Sequence, residues 1–314
     1  MSILRALLRF IVTLFVASVA IFLLMRAVPG NPARVALGIN ATEEAVAELS
    51  STLGLDRPLI VQYGEWIGGL LQGDFGQSLS SQQDITPLVL DRAQVSLILV
   101  GLAIVLALAI AIPVGMWLAH AHGRPAATAV SAGTQLGIAV PSFLVGILLI
   151  AIFASGAGWL PANGWIPPNQ SFGGFLSHLI LPVLALSLVQ AAMLTRYVRS
   201  AMLDVADADY IRTARSLGIS RAQALLRHGL RNAALPVLTV TGVQLTTLIV
   251  GAVVIESVFV IPGLGSMLLD AVSTRDLTTV QTLVMLLVTF TLTVNLLTEL
   301  AYRLIDPRLK AGVR

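Results

Sequence analysis

Asp209-Tyr210-Ile211-Arg212-Thr213-Ala214-Arg215-Ser216-Leu217-Gly218, continuing through Ile219 and Ser220 to His228-Gly229-Leu230-Arg231-Asn232-Ala233-Ala234-Leu235-Pro236, separates two long apolar runs. It reads as helix, glycine break, helix. Asp207 or Asp209 is placed to accept from the free backbone N–H groups that open the first helix, and Gly218 stands where a residue of positive φ closes it. Ser220 and Gln223 have the spacing of a capping box. After them Ala222, Leu225, Leu226, Gly229 and Leu230 recur at three and four residues, the apolar stripe of a second helix. Arg221, Arg227 and Arg231 fall largely off that stripe. The expectation is a folded, basic helical hairpin between two membrane crossings, a shape suited to docking.

Composition sets the environment of that hairpin. Of 314 residues, 56% are hydrophobic and 11% charged, whereas soluble domains carry about 25% charged residues. With a mean hydropathy of +0.89, the chain reads as an all-α integral membrane protein. The formal charge of +3 comes from arginines beside apolar runs, as membrane topology demands, so nucleic-acid binding is set aside. The absence of cysteine excludes a disulfide framework and thiolate metal sites. Lys310 is the only lysine and no glycine-rich loop precedes it, so the G-x-x-x-x-G-K-[ST] phosphate loop is missing. If ATP drives this protein, another chain binds it.

Hydropathy and charge divide the chain into residues 1–27, 28–94, 95–302 and 303–314. The first apolar run, Leu7 to Ala27, is long enough to span and follows Arg5 and Arg9. It lacks a small-x-small cleavage site before Pro29-Gly30-Asn31-Pro32, and so reads as an uncleaved anchor with a cytoplasmic start. Residues 28–94 are rich in Asp and Glu and hold only Arg34, Arg57 and Arg92, which places them outside as a small folded cap. Within the cap, Thr42 begins one short helix, and Tyr63, Trp66, Ile67 and Leu70 mark another. Five further runs near 95–119, 129–155, 179–198, 235–255 and 280–302 complete six transmembrane helices, with the hairpin at 200–234 inside. Basic residues then fall on the inside connections and both termini are cytoplasmic. Pro262-Gly263-Leu264-Gly265 interrupts the last external loop before a short helix carrying Met267, Leu268 and Ala271.

Polar residues within spans mark interior faces, because lipid offers them no partner. Gln135, Gln190, Gln244 and Asn295 qualify, joined by Thr239, Thr241, Thr246 and Thr247. Their ordinary explanation is bonding between helices or back to the helix's own carbonyls; their functional one is a translocation path. Gln190 and Gln244 lead because they lie on the spans flanking the hairpin. Arg196 and Glu299, near inner span ends, read as anchors or an ion pair. His120 and His122 are two apart and face away from each other on a helix, and His178 and His228 lie elsewhere, so no metal site is expected. No G-x-S-x-G elbow or other catalytic constellation occurs, so the chain is not expected to be an enzyme.

In residue order, D-Y-I-R-T-A-R-x-x-G (209–218) followed by H-x-L-R-N-A-x-x-P (228–236) resembles the cytoplasmic coupling loop of permease subunits of bacterial ATP-binding-cassette importers. The branch it resembles is the dipeptide, oligopeptide and nickel one, B-type subunit. The loop's generic opening Glu-Ala-Ala is Arg212-Thr213-Ala214 here, a departure shared with that branch. The resemblance extends to Leu53-Gly54-Leu55-Asp56-Arg57-Pro58, Gly73-Asp74-Phe75-Gly76-Gln77-Ser78, Val140-Pro141-Ser142-Phe143, Glu256-Ser257-Val258-Phe259 and Asp306-Pro307-Arg308, nearly the whole chain. It implies the type I importer permease fold in the bacterial inner membrane, a second homologous permease, two cytoplasmic ATPases holding ATP and Mg2+, and an extracytoplasmic substrate-binding protein. No cofactor is implied for this chain. Asp209, Tyr210, Arg212, Thr213, Ala214 and Gly218 are implied as the ATPase-coupling hinge, with Arg231 and Asn232 fixing its return toward Pro236. The implied cargo is di- or oligopeptide, with nickel, glutathione or another small solute as alternatives. A self-contained secondary transporter is the rival from another class, but the chain has no evident internal repeat and no acidic residue at a span centre.

Overall fold

The structure is a computed structural model and describes residues 3–38, 41–206, 208–225 and 229–305. Asp207, Leu226, Arg227, His228 and the segment from Asp306 onward lie outside the described residues, as do the side chains of Ala36, Arg221, Ala222, Arg231, Arg303, Leu304 and Ile305. Helices occur in the order α1 (Ile3–Ala27), α2 (Pro32–Leu37), α3 (Glu43–Thr52), α4 (Leu59–Gln72), α5 (Thr86–His120), α6 (Pro125–Ala139) and α7 (Ser142–Leu149). After a π-helical turn over Ile150–Gly156 come α8 (Phe172–Ala206), α9 (Asp209–Ser216), α10 (Arg221–Ala224), α11 (Leu230–Val258), α12 (Leu264–Ser273) and α13 (Leu277–Ile305).

Five of these, α1, α5, α8, α11 and α13, are long and apolar enough to cross a membrane. The run expected as an unbroken third span from 129 to 155 is instead two helices bent by 100°. The break falls at Val140-Pro141. Proline lacks the N–H that would continue the ladder and pushes the residue before it out of the helical region, and Val140 accordingly sits at φ −90°, ψ 123°. Hydropathy averages over such a break without registering it.

The chain divides into two compact units. One comprises Met1–Ser96 and Pro262–Thr293, the other Leu97–Ile261 and Val294–Arg314. In the first, α2 and α3 start on side-chain caps. Asn31 accepts from the Ala33 N–H at 2.9 Å and Thr42 accepts from the Ala45 N–H at 3.2 Å. α4 packs on α1 through the Phe22, Tyr63 and Trp66 rings, with centroids 5.5–6.2 Å apart. Ser18 donates to its own helix at Phe15, so the Tyr63 hydroxyl 2.8 Å away is the donor to Ser18 Oγ. Within residues 28–94, α4 thus folds against α1.

Asp276 ties the same unit together. Its carboxylate caps α13 by accepting from the Thr279 N–H and hydroxyl, and it also accepts from the Leu79 N–H and the Ser78 and Ser80 hydroxyls. Buried to 4% exposure, it has its lone pairs filled by donors from two segments, which is what makes a buried carboxylate tolerable. Asp276-x-x-Thr279 has the capping spacing, so this cap was open to sequence reading; the capture of residues 78–80 was not. Just before it, α12 ends in a Schellman closure, with the Asp276 N–H on the Ala271 carbonyl and the Arg275 N–H on that of Val272. That closure holds Arg275 at φ +56°, a left-handed conformation costing a non-glycine residue about 1 kcal/mol.

In the second unit α8 is the hub, packed against α6, α7 and α11, while α7 also meets α11. Small residues set the spacings. A Cβ added to Gly242 would lie 2.4 Å from Thr298 Oγ1, and one on Gly115 would lie 2.7 Å from Val198. Glycine at these points lets α11 approach α13 and α5 approach α8 at backbone distance. Phe259, fully buried, sits over Gly146 and offers its carbonyl to the Gly164 N–H at 2.8 Å, fixing the loop after the π-helical turn.

Candidate coupling hairpin and intramembrane polar residues

Between α8 and α11 the chain builds the expected first helix and turn as α9 and its closure; of the expected second helix, α10 covers Arg221–Ala224, Leu226, Arg227 and His228 lie outside the described residues, and Leu230 opens α11. The turn follows the sequence closely. Gly218 has φ +87°, the Ile219 N–H bonds the Ala214 carbonyl at 3.2 Å, and the Gly218 N–H bonds that of Arg215 at 3.0 Å. These two bonds satisfy carbonyls that the end of α9 would otherwise leave open. Ser220 Oγ accepts from the Gln223 N–H at 3.3 Å to begin α10. The start of α9 differs from expectation. Ala208 is its cap residue and makes no side-chain bond, while Asp209 is the first helical residue. Asp209 serves the helix through its charge near the positive end of the dipole, with Arg215 at the other end.

The two faces of α9 are unlike. Ile211, at 1% exposure, and Ala214 pack with Ala224, against Val205 and Ile219. Tyr210, Arg212, Thr213, Arg215 and Leu217 point away from that cluster, and Leu217 is 78% exposed at the elbow. Arg212 Nη1 lies 3.6 Å from Asp209 in an exposed pair. Thr213 donates its hydroxyl to the Asp209 carbonyl. Of the residues expected to couple, Asp209, Tyr210, Arg212 and Thr213 thus form the outer face, Gly218 forms the turn, and Ala214 is a packing residue of the hairpin itself. Asn232 is exposed in the first turns of α11, and of Arg231 only the backbone is described. Leu217 is absent from the sequence-derived set. Spaced three residues from Ala214, it reads in sequence as part of the same apolar stripe; it is exposed because α9 ends at Ser216 and Leu217 is the cap residue.

The hairpin is anchored below. Ala119 of α5, Val198, Ala201 and Met202 of α8, Leu225, and Ala233 of α11 form one buried cluster. Gly229 is buried where an added Cβ would come within 3.3 Å of Leu225, Met202 and Val205. Leu225, just after α10, thus packs directly against the ends of three long helices, α5, α8 and α11.

The four intramembrane amides part into two pairs. Gln190 on α8 and Gln244 on α11 are 9% and 6% exposed, whereas Gln135 on α6 and Asn295 on α13 are exposed. Thr239, Thr241 and Thr247 donate to the carbonyls of Leu235, Val237 and Val243, each four residues back, the ordinary use of threonine in a membrane helix. The Thr246 hydroxyl is buried without a protein partner. His178 Nδ1 donates to the Gly174 carbonyl at 2.7 Å, and His122 lies 3.3 Å from Arg199. Among the described residues no three His, Cys, Asp or Glu side chains converge as a metal site would require.

Comparison with known proteins gives the family. The family described as the binding-protein-dependent transport system inner membrane component matches residues 111–311, and its N-terminal companion matches residues 1–100. A protein of Sinorhizobium fredii named a probable peptide ABC transporter permease is 37% identical over 308 residues, 98% of each chain. The glutathione transport system permease GsiC of Salmonella choleraesuis is 36% identical over 321 residues, again 98% of each. In fold, the chain is similar to one from an inward-facing MetNI methionine ABC transporter, with a TM-score of 0.57 and 18% identity, covering 71% of this chain and 98% of that one. An amino acid ABC transporter chain superimposes with a TM-score of 0.53 and 20% identity, covering 69% of this chain and 94% of that one. A conserved helical architecture at low identity, with full-length relatives above 35%, leads to one assignment: this chain belongs to the family of inner membrane components of binding-protein-dependent transport systems, the permeases of ABC importers.

Proposed function

We propose that the chain forms half of the translocation pathway of an importer for di- and oligopeptides, with glutathione within the same chemical class. It pairs with a second, homologous permease in the bacterial inner membrane, takes cargo from an extracytoplasmic binding protein, and is driven by two cytoplasmic ATPases that bind ATP and Mg2+. Peptide as cargo is supported by the names of the full-length relatives. The six-span arrangement with cytoplasmic termini and an external 28–94 segment is supported by the distribution of arginine; in it the bent α6–α7 pair counts as one crossing.

The observation that carries the mechanism is the hairpin's division into a buried inner face and an exposed outer one. Ile211 and Ala214 hold α9 onto α10, leaving Tyr210, Arg212, Thr213 and Leu217 to meet an ATPase groove. Closure of the ATPase pair on ATP pushes the hairpin as a rigid body. The cluster of Met202, Leu225 and Ala233 carries that push into α8 and α11, and the path exchanges its opening between the two sides. Gln135 and Asn295, exposed on membrane helices, are the better candidates to line the path beside the second permease. Gln190 and Gln244, buried on α8 and α11, are enclosed by protein rather than facing a partner.

The natural lack of cysteine makes the test direct. Leu217→Cys in the assembled complex should be shielded by the ATPases from a membrane-impermeant maleimide. It should react from the cytoplasmic side once they are stripped, while Ser81→Cys should react from the outside. Reaction of Leu217→Cys from the outside, or reactivity indifferent to the ATPases, would overturn the reading.

A further inference from the structure

Within the unit formed by Met1–Ser96 and Pro262–Thr293, a cavity of about 420 Å3 lies where the end of α1 and α2 meet the α12–α13 turn. Its wall includes Met25, Val28, Val35, Val272 and Val280, and its one charged lining residue is Arg275. Three observations bear on what it holds. Met25 and Leu277 belong to the last and first turns of two membrane-crossing helices, so the cavity sits at the boundary between hydrocarbon and water. Val28, Val35 and Val272 remain exposed around it, an apolar rim that water disfavours and acyl chains do not. Arg275 occupies the left-handed position that closes α12, which glycine would fill without strain, and it pairs with no acidic side chain among the described residues. The turn needs only the backbone of this residue, and its side chain is the one cationic group lining the cavity.

We infer that this cavity is a binding site for an anionic phospholipid, one acyl chain lying on the valine and methionine wall and the phosphate on the Arg275 guanidinium. A guanidinium offers paired N–H donors that match phosphate oxygens, and at the membrane boundary it does so with little competition from water. The bound lipid would fill the gap between the first crossing and the α12–α13 turn, holding α1 and α2 to the segment that Asp276 fastens. The side of the membrane on which the site opens rests on the topology proposed above; the site itself does not.

The test uses the full-length protein in phosphatidylcholine vesicles doped with phosphatidylglycerol that carries a photoreactive diazirine on its acyl chain. After illumination, labelled peptides are mapped by mass spectrometry. Labelling should concentrate on the peptides holding Met25–Val35 and Val272–Val280. Arg275→Gly should lower it about fivefold, the factor that one arginine contributes beside anionic lipid, while relieving strain and so leaving the melting temperature equal or higher. Arg275→Lys should retain most of the labelling, and Val28→Trp should reduce it with the charge intact. The inference is overturned if Arg275→Gly labels as the parent does, if label spreads evenly over all exposed helix faces, or if a phosphatidylcholine probe marks the same peptides equally well. Cysteine accessibility reads the topology separately, so a failure of that reading leaves the labelling result standing.

Discussion

Gly218 offers a perturbation whose size can be worked from the structure. Nothing lies within 4 Å of a Cβ built there, so a substitution adds no clash and acts only through the backbone at φ +87°. Asparagine enters the left-handed region at small cost, alanine at about 1 kcal/mol, and β-branched valine at about 2 kcal/mol. Against this stands what closes the hairpin, one isoleucine and two alanine side chains buried between α9 and α10. That burial contributes about 3 kcal/mol before the entropy of ordering the turn is subtracted. The margin is thus comparable with the valine penalty and larger than the alanine one. Coupling, read as substrate-stimulated ATPase activity of the assembled complex, should fall in the order Gly, Asn, Ala, Val, with alanine keeping most of it and valine losing about fivefold or more. Basal ATPase activity should change little. If valine couples as well as glycine, the turn does not transmit the push. If asparagine fails as badly as valine, bulk at the elbow rather than backbone geometry is what matters.

Replacing Leu217 with Asp should leave the melting temperature of the isolated chain within about 2 °C, since exposed sites cost little, yet weaken pull-down of the ATPase subunits. Ile211→Ala should do the reverse in origin, removing about 2–4 kcal/mol of buried contact and making the 209–224 segment sensitive to limited proteolysis. Gly242→Val drives a side chain into Thr298 and should cost about 1–3 kcal/mol by overpacking. The double variant with Thr298→Ala should recover part of that in thermal unfolding in detergent, and strict additivity would refute the close approach. Asp276→Asn replaces a carboxylate that serves five donors with a group that accepts through one oxygen. It should destabilise by about 3 kcal/mol and expose residues 78–80 to protease, whereas unchanged protection would show that the segment is held by other means.

Much of this protein was legible from one dimension. Length of apolar runs, arginine placement and the absence of a phosphate loop are summed properties of neighbouring residues, and neighbours along the chain suffice to read them. The hairpin belongs to the same class. Gly218, Ser220 and Gln223 act over three or four residues, so their turn and cap could be read before any packing was known. Val140-Pro141 was equally local, but averaging its surroundings for hydropathy hid a 100° bend that proline chemistry announces. What only tertiary structure decided is which face of each element is covered. Ala214 and Leu217 differ by one helical turn, yet one is buried against Ala224 and the other stands open at the elbow. Gln190 and Gln135 are the same amide in similar apolar runs, one buried on α8 and the other exposed on α6. Asp276 and Ser78 lie 198 residues apart and meet because the fold brings the start of α13 to the 73–85 loop. Burial and long-range partnership depend on what packs opposite, and that is a property of the folded chain rather than of any stretch of it.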